Sequence, residues 1–343
     1  MDKKELLKLL NDTQEQGDDS PEGKRVLFID GLNLFFRNFA MLNMVNPDGI
    51  HVGGLGGFFR SLGAMVRQIQ PTDVYIAFDG SSSSSNRKNI MPEYKSGRNT
   101  SRITNWEVFE NSEEEHDSKI DQIVRIIQYL KTLPVKTVML DKVEADDIIA
   151  YLSYKVITKP EDKSFIVSSD KDFLQLINEN VIVYRPMEKK YYTESTMKEK
   201  YNIPTKNFIL HKTLLGDSSD KIKGVKGLGE KGLLKKFPEL SEKEMSFDDI
   251  LNICKSKFKD HVVYARILQG VSDLEKNYKL MDLSNPMLDE NDKKYLNKVV
   301  ESTDLNYIPE QFIALYNEDK LGGMIRNIEF WLSDNFGKLV LKK

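Results

Sequence analysis

Three short apolar runs in this chain each stop at an acidic segment: Arg25-Val-Leu-Phe-Ile29 before Asp30, Val74-Tyr-Ile-Ala-Phe78 before Asp79, and Phe165-Ile-Val167 before Ser168-Ser-Asp-Lys-Asp172. Runs this short and this continuously apolar read as strands buried on both faces, which is the pattern of a parallel, helix-covered sheet. In such a sheet ligands bind outside the carboxyl ends of the strands, so acids placed just after strands meet in one cleft. Nine acids fall into five such clusters: Asp30; Asp79; Glu144, Asp146 and Asp147; Asp170 and Asp172; Asp217 and Asp220. The third cluster opens a helical pattern, Glu144 to Leu152. Like charges at this density need a cation, and the pattern predicts a divalent-metal site.

The rest of the composition narrows the metal and the compartment. Cys254 is the only cysteine, and His51, His116, His211 and His261 are too scattered for a local ligand motif, so zinc is a poor candidate. Hard oxygen donors favour Mg²⁺, with Mn²⁺ as substitute. No stretch approaches the roughly 20 apolar residues of a membrane helix, and the first 22 residues lack the apolar region of a secretory signal. The expectation is a cytoplasmic, monomeric enzyme of about two domains in 343 residues.

The alternation of elements predicts an α/β core. Strands are expected at 25–29, 74–78, 135–139, 164–167 and 181–184, with helices near 32–41, 53–69, 117–131 and 144–156. A polar arm covers 1–22, the core 23–205, a mostly helical region 206–300 and a helical C-terminal extension 301–343. A long polar connection occupies about 80–118. Although the net charge is −3, residues 86–102 carry five cations against one acid, and residues 221–236 six against one. Basic stripes of this kind bind phosphate backbones, although each alone also fits a solvated helix face.

Two cations about 4 Å apart can activate water and neutralise a phosphate during hydrolysis, and clustered carboxylates are what holds them. Asp30, Asp79, Glu144 and Asp146 are assigned to a first metal and Asp170, Asp172, Asp217 and Asp220 to a second, with Asp147 serving either through water. Each acid taken singly also fits a helix N-cap. Beyond them, Gly224-Val-Lys-Gly-Leu-Gly229 leads into a helical pattern at Glu230, where glycines let a backbone approach phosphate closely. It is not a nucleotide-binding P-loop, since Glu230-Lys231 follows where Lys and Ser or Thr are required.

Phe28-Ile-Asp30-Gly, Ala77-Phe-Asp79-Gly, Pro92-Glu-Tyr-Lys-Ser-Gly97, Val143-Glu-Ala-Asp-Asp147, Ser168-Ser-Asp-Lys-Asp-Phe173 and Gly216-Asp-Ser-Ser-Asp220 through Gly232 resemble, in order, the flap endonuclease and 5′-to-3′ exonuclease superfamily. Over about 24–240 the chain looks most like freestanding phage and bacterial members, including the phage ribonuclease H type. The resemblance implies a PIN-like core and a helix-three-turn-helix DNA grip at Phe208 to Phe237, with K⁺ at the glycine turn. It also implies a helical arch over the 5′ strand. Lys95 then matches the arch lysine near the scissile phosphate, with Arg98 or Arg102 as a second cation and Asp147 among the catalytic acids. Arg87, Lys88, Tyr94, Lys95, Gly224, Lys226, Gly227, Gly229 and Lys231 would contact DNA. Phe36 would stack on an unpaired base, with Phe35 competing and a core role open for both.

The implied substrates are 5′ flaps, nicks, RNA primers and other RNA–DNA hybrids. Phe330, Trp331, Phe336 and Leu339 most simply pack on the core, while in replication nucleases such ends can dock a single-strand binding protein or sliding clamp, which makes 324–343 a candidate docking segment. Two other readings stand beside this one. A PIN-type ribonuclease would use the acids without the glycine turn, and Asp79-Gly-Ser-Ser-Ser83 also fits the metal loop of a non-catalytic adhesion-type module.

Overall fold

The computed structural model of the chain describes residues 23–97 and 103–341. The expected polar arm, Arg98 and Arg102 lie outside the described residues. Six strands form one sheet in the order β3-β2-β1-β4-β5-β6: β1 Arg25–Asp30, β2 Asp73–Asp79, β3 Lys136–Leu140, β4 Lys163–Val167, β5 Val181–Arg185 and β6 Lys190–Tyr192. β1 to β5 are parallel and β6 returns antiparallel along β5. The chain builds outward from β1 through β2 to β3, then crosses back to β4 on the other side. This reversal of strand order opens a crevice at the carboxyl ends of β1, β2 and β4. In the register Asp30 lies opposite Ala77, Ile29 opposite Val167, and Asp79 opposite Leu140, so the acids finish on nearly one level.

Strand alternation sends β1 into two cores. Leu27 and Ile29 pack under helices Gly31–Met41, Gly53–Ile69 and Ser112–Leu130, whereas Val26 and Phe28 pack under Ala145–Lys155. The second core continues without a break into the helical region: Phe208, Leu214, Leu233, Phe237 and Ile250 share it with Ile148 and Leu152. A two-strand hairpin, β7 Gly216–Asp217 with β8 Ile222–Lys223, interrupts those helices and was not legible in the sequence.

The C-terminal residues complete the first core. Phe312, Trp331, Phe336 and Leu339 are buried in the same cluster as Leu27 and Phe59. Neighbours press closely on the glycines of helix Gly53–Ile69, Trp331 on Gly63 and residues nearer in sequence on most of the others. A Cβ on Gly63 would stand 2.5 Å from the indole nitrogen of Trp331, and one on Gly53 only 1.8 Å from the Leu42 carbonyl oxygen. The helical extension is therefore a wall of the sheet domain: Trp331, Phe336 and Leu339 pack on the core as the sequence suggested, and Phe330 does not.

His211, on helix Phe208–Leu215, stacks on Phe208 with ring centres 5.4 Å apart. Burial pushes its pKa down to about 4 from the usual 6.5, so it folds as the neutral imidazole. Its contribution to stability is present above pH 6.5 and lost as the pH falls toward 4. The loss of unfolding free energy between pH 7 and pH 5, measured by urea denaturation, should be smaller in His211→Phe than in the parent.

Candidate active site

Six of the nine acids expected from the sequence, Asp30, Asp79, Glu144, Asp146, Asp170 and Asp172, lie close enough at the crevice to perturb one another. Asp30 ends β1 and caps the next helix, its Oδ1 accepting from the Asn33 N–H at 2.9 Å, while Oδ2 accepts from Ser168 Oγ at 3.1 Å. Asp79 ends β2 and accepts from the Ala145 N–H at 2.8 Å, so it fixes the start of the helix carrying Asp146. Asp170 accepts from the Asp172 N–H at 2.8 Å, which curls the segment after β4 into the crevice. The N-cap and ligand readings are thus compatible: capping uses one carboxylate oxygen and orients the other.

The electrostatics identify these acids as one group. Burial first, then Asp79 and Asp170, push the Asp30 carboxyl up to about 7. Burial with Asp170 and Asp30 raises Asp146 well above the carboxylate range, and burial with Asp170 lifts Asp172 to about 7 despite Lys212. Among the described residues no three of these acids close around one point as a ready-made metal cage. Their oxygen-only chemistry and mutual repulsion nevertheless suit hard divalent cations, since a cation placed among them relieves the repulsion.

Two lysines penetrate the cluster. Lys95 Nζ lies 2.8 Å from Glu144 Oε1, and its backbone, at φ 54°, donates from N–H to the Asp220 carbonyl oxygen at 3.1 Å. A left-handed backbone is uncommon for a residue with a side chain, and such local strain concentrates at functional sites. Although burial alone would lower its pKa, Glu144 and Asp146 hold Lys95 firmly charged. Lys212, which sequence reasoning missed, is buried between Asp172, at 2.6 Å, and Asp217. Burial opposes ionisation of Asp217, yet the bond from Lys212 brings its pKa down to about 2. The available signal was a lysine in the mostly apolar run Phe208-Ile-Leu-His-Lys-Thr-Leu-Leu215.

Several assignments need correction. Asp147 is buried with its oxygens committed, to Arg87 Nη1 at 2.6 Å, to Arg87 Nη2 at 3.0 Å and to the Met287 N–H at 2.9 Å. In this structure its carboxylate joins Arg87 to the Met287 backbone instead of opening toward the other acids. Arg87 is correspondingly buried, only 3% exposed, and offers no fork to a phosphate. Tyr94 is buried too, with its hydroxyl donating to Glu144 Oε2 at 3.1 Å, so it presents no stacking face. Phe35 is fully buried in the core, whereas Phe36 is 45% exposed, which leaves Phe36 as the aromatic able to meet a base. Lys88 is exposed on helix Ser85–Ile90. Of the serine run, Ser81 donates to Asp141 Oδ1 at 2.6 Å instead of serving Asp79, against the adhesion-type loop.

Beside the crevice, the glycine turn runs between β8 and helix Glu230–Lys236. A Cβ on Gly224 would stand 2.1 Å from the Leu215 carbonyl oxygen, and Gly227 sits at φ +84°, so both positions require glycine. Lys226 and Lys231 are exposed, Gly229 caps the helix, and Arg266 Nη1 donates to the Lys226 carbonyl oxygen at 2.8 Å. The turn and the segment Ile90 to Glu93 together line a cavity of about 580 Å³ that also carries Lys221, Lys223 and Lys276.

A parallel sheet that gathers acids at its switch point, with a buried lysine among them and a lysine-rich glycine turn alongside, defines a nuclease. Residues 25–202 match the family model described as the 5'-3' exonuclease N-terminal resolvase-like domain, and the chain belongs to the 5'-3' exonuclease family. It is 30% identical over 229 residues to a 5'-3' exonuclease of Buchnera aphidicola subsp. Acyrthosiphon pisum, covering 66% of this chain and 75% of that protein. It is 32% identical over 251 residues to DNA polymerase I of Lactococcus lactis subsp. cremoris, covering 70% of this chain but only 27% of that much longer protein. The solved flap endonuclease of bacteriophage T5, crystallised with DNA and metal ions, superposes with a TM-score of 0.60 at 19% identity, over 87% of this chain and all of that one. Among the described residues no helix is long and apolar enough to cross a membrane.

Proposed function

We infer that this chain hydrolyses phosphodiesters at 5′ flaps, nicks and RNA primers in duplex DNA, using divalent cations and leaving a 5′-phosphate. The observation that carries the reading is the meeting of Asp30, Asp79, Asp146, Asp170 and Asp172 with Lys95 at one switch point, beside a basic glycine turn. Asp30, Asp79, Glu144 and Asp146 would hold one cation and Asp170, Asp172, Asp217 and Asp220 the other. When bound, Mg²⁺ or Mn²⁺ supplies a Lewis acid for the phosphate and lowers the pKa of water. Lys95, charged and aimed into the cluster, contributes fixed positive charge to the phosphate oxygens. Phe36 offers a stacking face to an unpaired base. The glycine turn, with K⁺ on its carbonyls, seats the duplex through Lys226 and Lys231.

A cytoplasmic monomer acting in replication fits this reading. Docking of a single-strand binding protein or sliding clamp at 324–343 would have to use Phe330, 64% exposed, because Trp331, Phe336 and Leu339 face the core.

Replacing both Lys226 and Lys231 by Ala should weaken binding to a nicked duplex and flatten the dependence of log K on log salt by about two, one per lost phosphate contact. Fluorescence anisotropy in EDTA at several salt concentrations checks this. The reading as a whole is tested with 5′- and 3′-labelled flap, nicked and RNA-primed substrates in Mg²⁺ or EDTA. Mg²⁺-dependent products near the junction support it. Tight binding without cleavage in any divalent metal would overturn it.

A further inference from the structure

Arg87 lies in the basic stretch before Lys95, where its charge suggests an exposed phosphate contact, yet it is one of the most thoroughly engaged side chains in the molecule. Its Nε donates to the Leu280 carbonyl oxygen at 3.0 Å, both Nη atoms fork onto Asp147, and Nη1 also lies 3.0 Å from Glu144 Oε2. The three partners belong to two different parts of the fold. Glu144 and Asp147 open the acidic helix, and Leu280 ends helix Val271–Met281 in the helical region. That helix also reaches the glycine turn, since Asn277 Nδ2 donates to the Lys223 carbonyl oxygen at 2.8 Å. An independent observation joins the same parts: Tyr94, Ile209, Ile222, Leu280 and Met281 form a small core of their own, with Ile90 and Met91 packed against it.

We propose that Arg87 is a positioning residue that holds the Glu144 carboxylate in place for a metal ion and ties that placement to the seat of the duplex-binding helices. The inference rests on the nuclease reading above. Glu144 has four lone-pair directions, and Arg87, Tyr94 and Lys95 together fix its plane. Only a planar guanidinium can satisfy the Leu280 carbonyl, the Asp147 fork and Glu144 at once. A lysine supplies the charge without the geometry. Groups that orient a metal-binding carboxylate in this way matter almost as much as the carboxylate, by about 10- to 100-fold in metal affinity or activity.

The test compares Arg87→Lys, Arg87→Gln and Asn277→Ala with the parent on a 5′-flap substrate. Single-turnover rates are measured across a MgCl₂ titration, and flap affinity is measured in EDTA over a range of salt. The expected result for Arg87→Lys is a parental flap Kd and salt slope, with a Mg²⁺ midpoint raised or a single-turnover rate lowered about tenfold or more. Arg87→Gln should show the larger loss, and Asn277→Ala a smaller loss of the same kind that is less than multiplicative when combined with Arg87→Lys. A weakened Kd with the salt slope reduced by about one would overturn the proposal in favour of a phosphate contact. Unchanged kinetics would overturn it as well, and failure of both Arg87 variants to fold would reduce the residue to a structural strut. Cleavage by the parent reports on the nuclease reading itself, so the two failures are distinguishable.

Discussion

Asp146→Asn and Asp170→Asn should each lower Mg²⁺-dependent flap cleavage by about a thousandfold or more, because the lost cation stabilises transition-state charge by several kcal/mol. Both variants should keep the fold and bind flap DNA in EDTA. A second effect separates loss of chemistry from loss of structure. Burial, then Asp170 and Asp30, oppose ionisation of Asp146, so its charge destabilises the metal-free protein. Asp146→Asn should therefore melt at a higher temperature than the parent in EDTA, by an amount on the order of 1 kcal/mol in unfolding free energy. Mg²⁺ should raise the melting temperature of the parent more than that of the variant. Differential scanning fluorimetry with and without MgCl₂, run beside the cleavage assay, checks both. A variant that cuts at the parental rate would remove Asp146 from the metal site.

Lys95→Ala should cost about 10²- to 10³-fold in single-turnover rate, the usual effect of deleting one preorganised charge or donor aimed at a developing oxyanion. The Mg²⁺ midpoint should change less than the rate. Lys95 neutralises Glu144 from one side only, and Arg87 remains on the other. Lys95→Arg should not restore the rate fully, since the residue enters the cluster from a left-handed backbone position that fixes its reach. A parental rate for Lys95→Ala with saturating substrate would show that the lysine serves only to balance the acids.

The parallel sheet and the acids at its carboxyl edge were legible because both are local signals: an apolar run, then an acid. The helix Gly53–Ile69 was found to the residue from the spacing of Phe58, Phe59, Leu62, Met65 and Ile69. What the sequence did not reveal depends on contacts between distant segments. Arg87 and Lys88 are adjacent, equally basic letters, and the carbonyl of Leu280, 193 positions away, helps bury the first while the second stays exposed. Asp147 likewise differs from Asp146 only in the direction it leaves the helix. Lys212 was hidden by the opposite effect, an apolar neighbourhood that reads as core. Phe35 and Phe36 could be told apart only once the helix was placed on the sheet.

The pressing of Trp331, Phe312 and Phe336 onto a glycine-rich helix near the start of the chain has a consequence for how the protein is made. A helix beginning Gly53-Gly-Leu-Gly-Gly57 has little intrinsic tendency to form. Its outer partners are translated more than 240 residues later. The sheet domain therefore cannot complete its first core before residues 312–339 have been synthesised, and until then Phe59 lacks its contact with Phe312. Such sequence-distant closure slows folding and exposes apolar surface in the meantime. Fragments stopped at residue 300 should be chaperone clients even though every acid of the active site is already present in them.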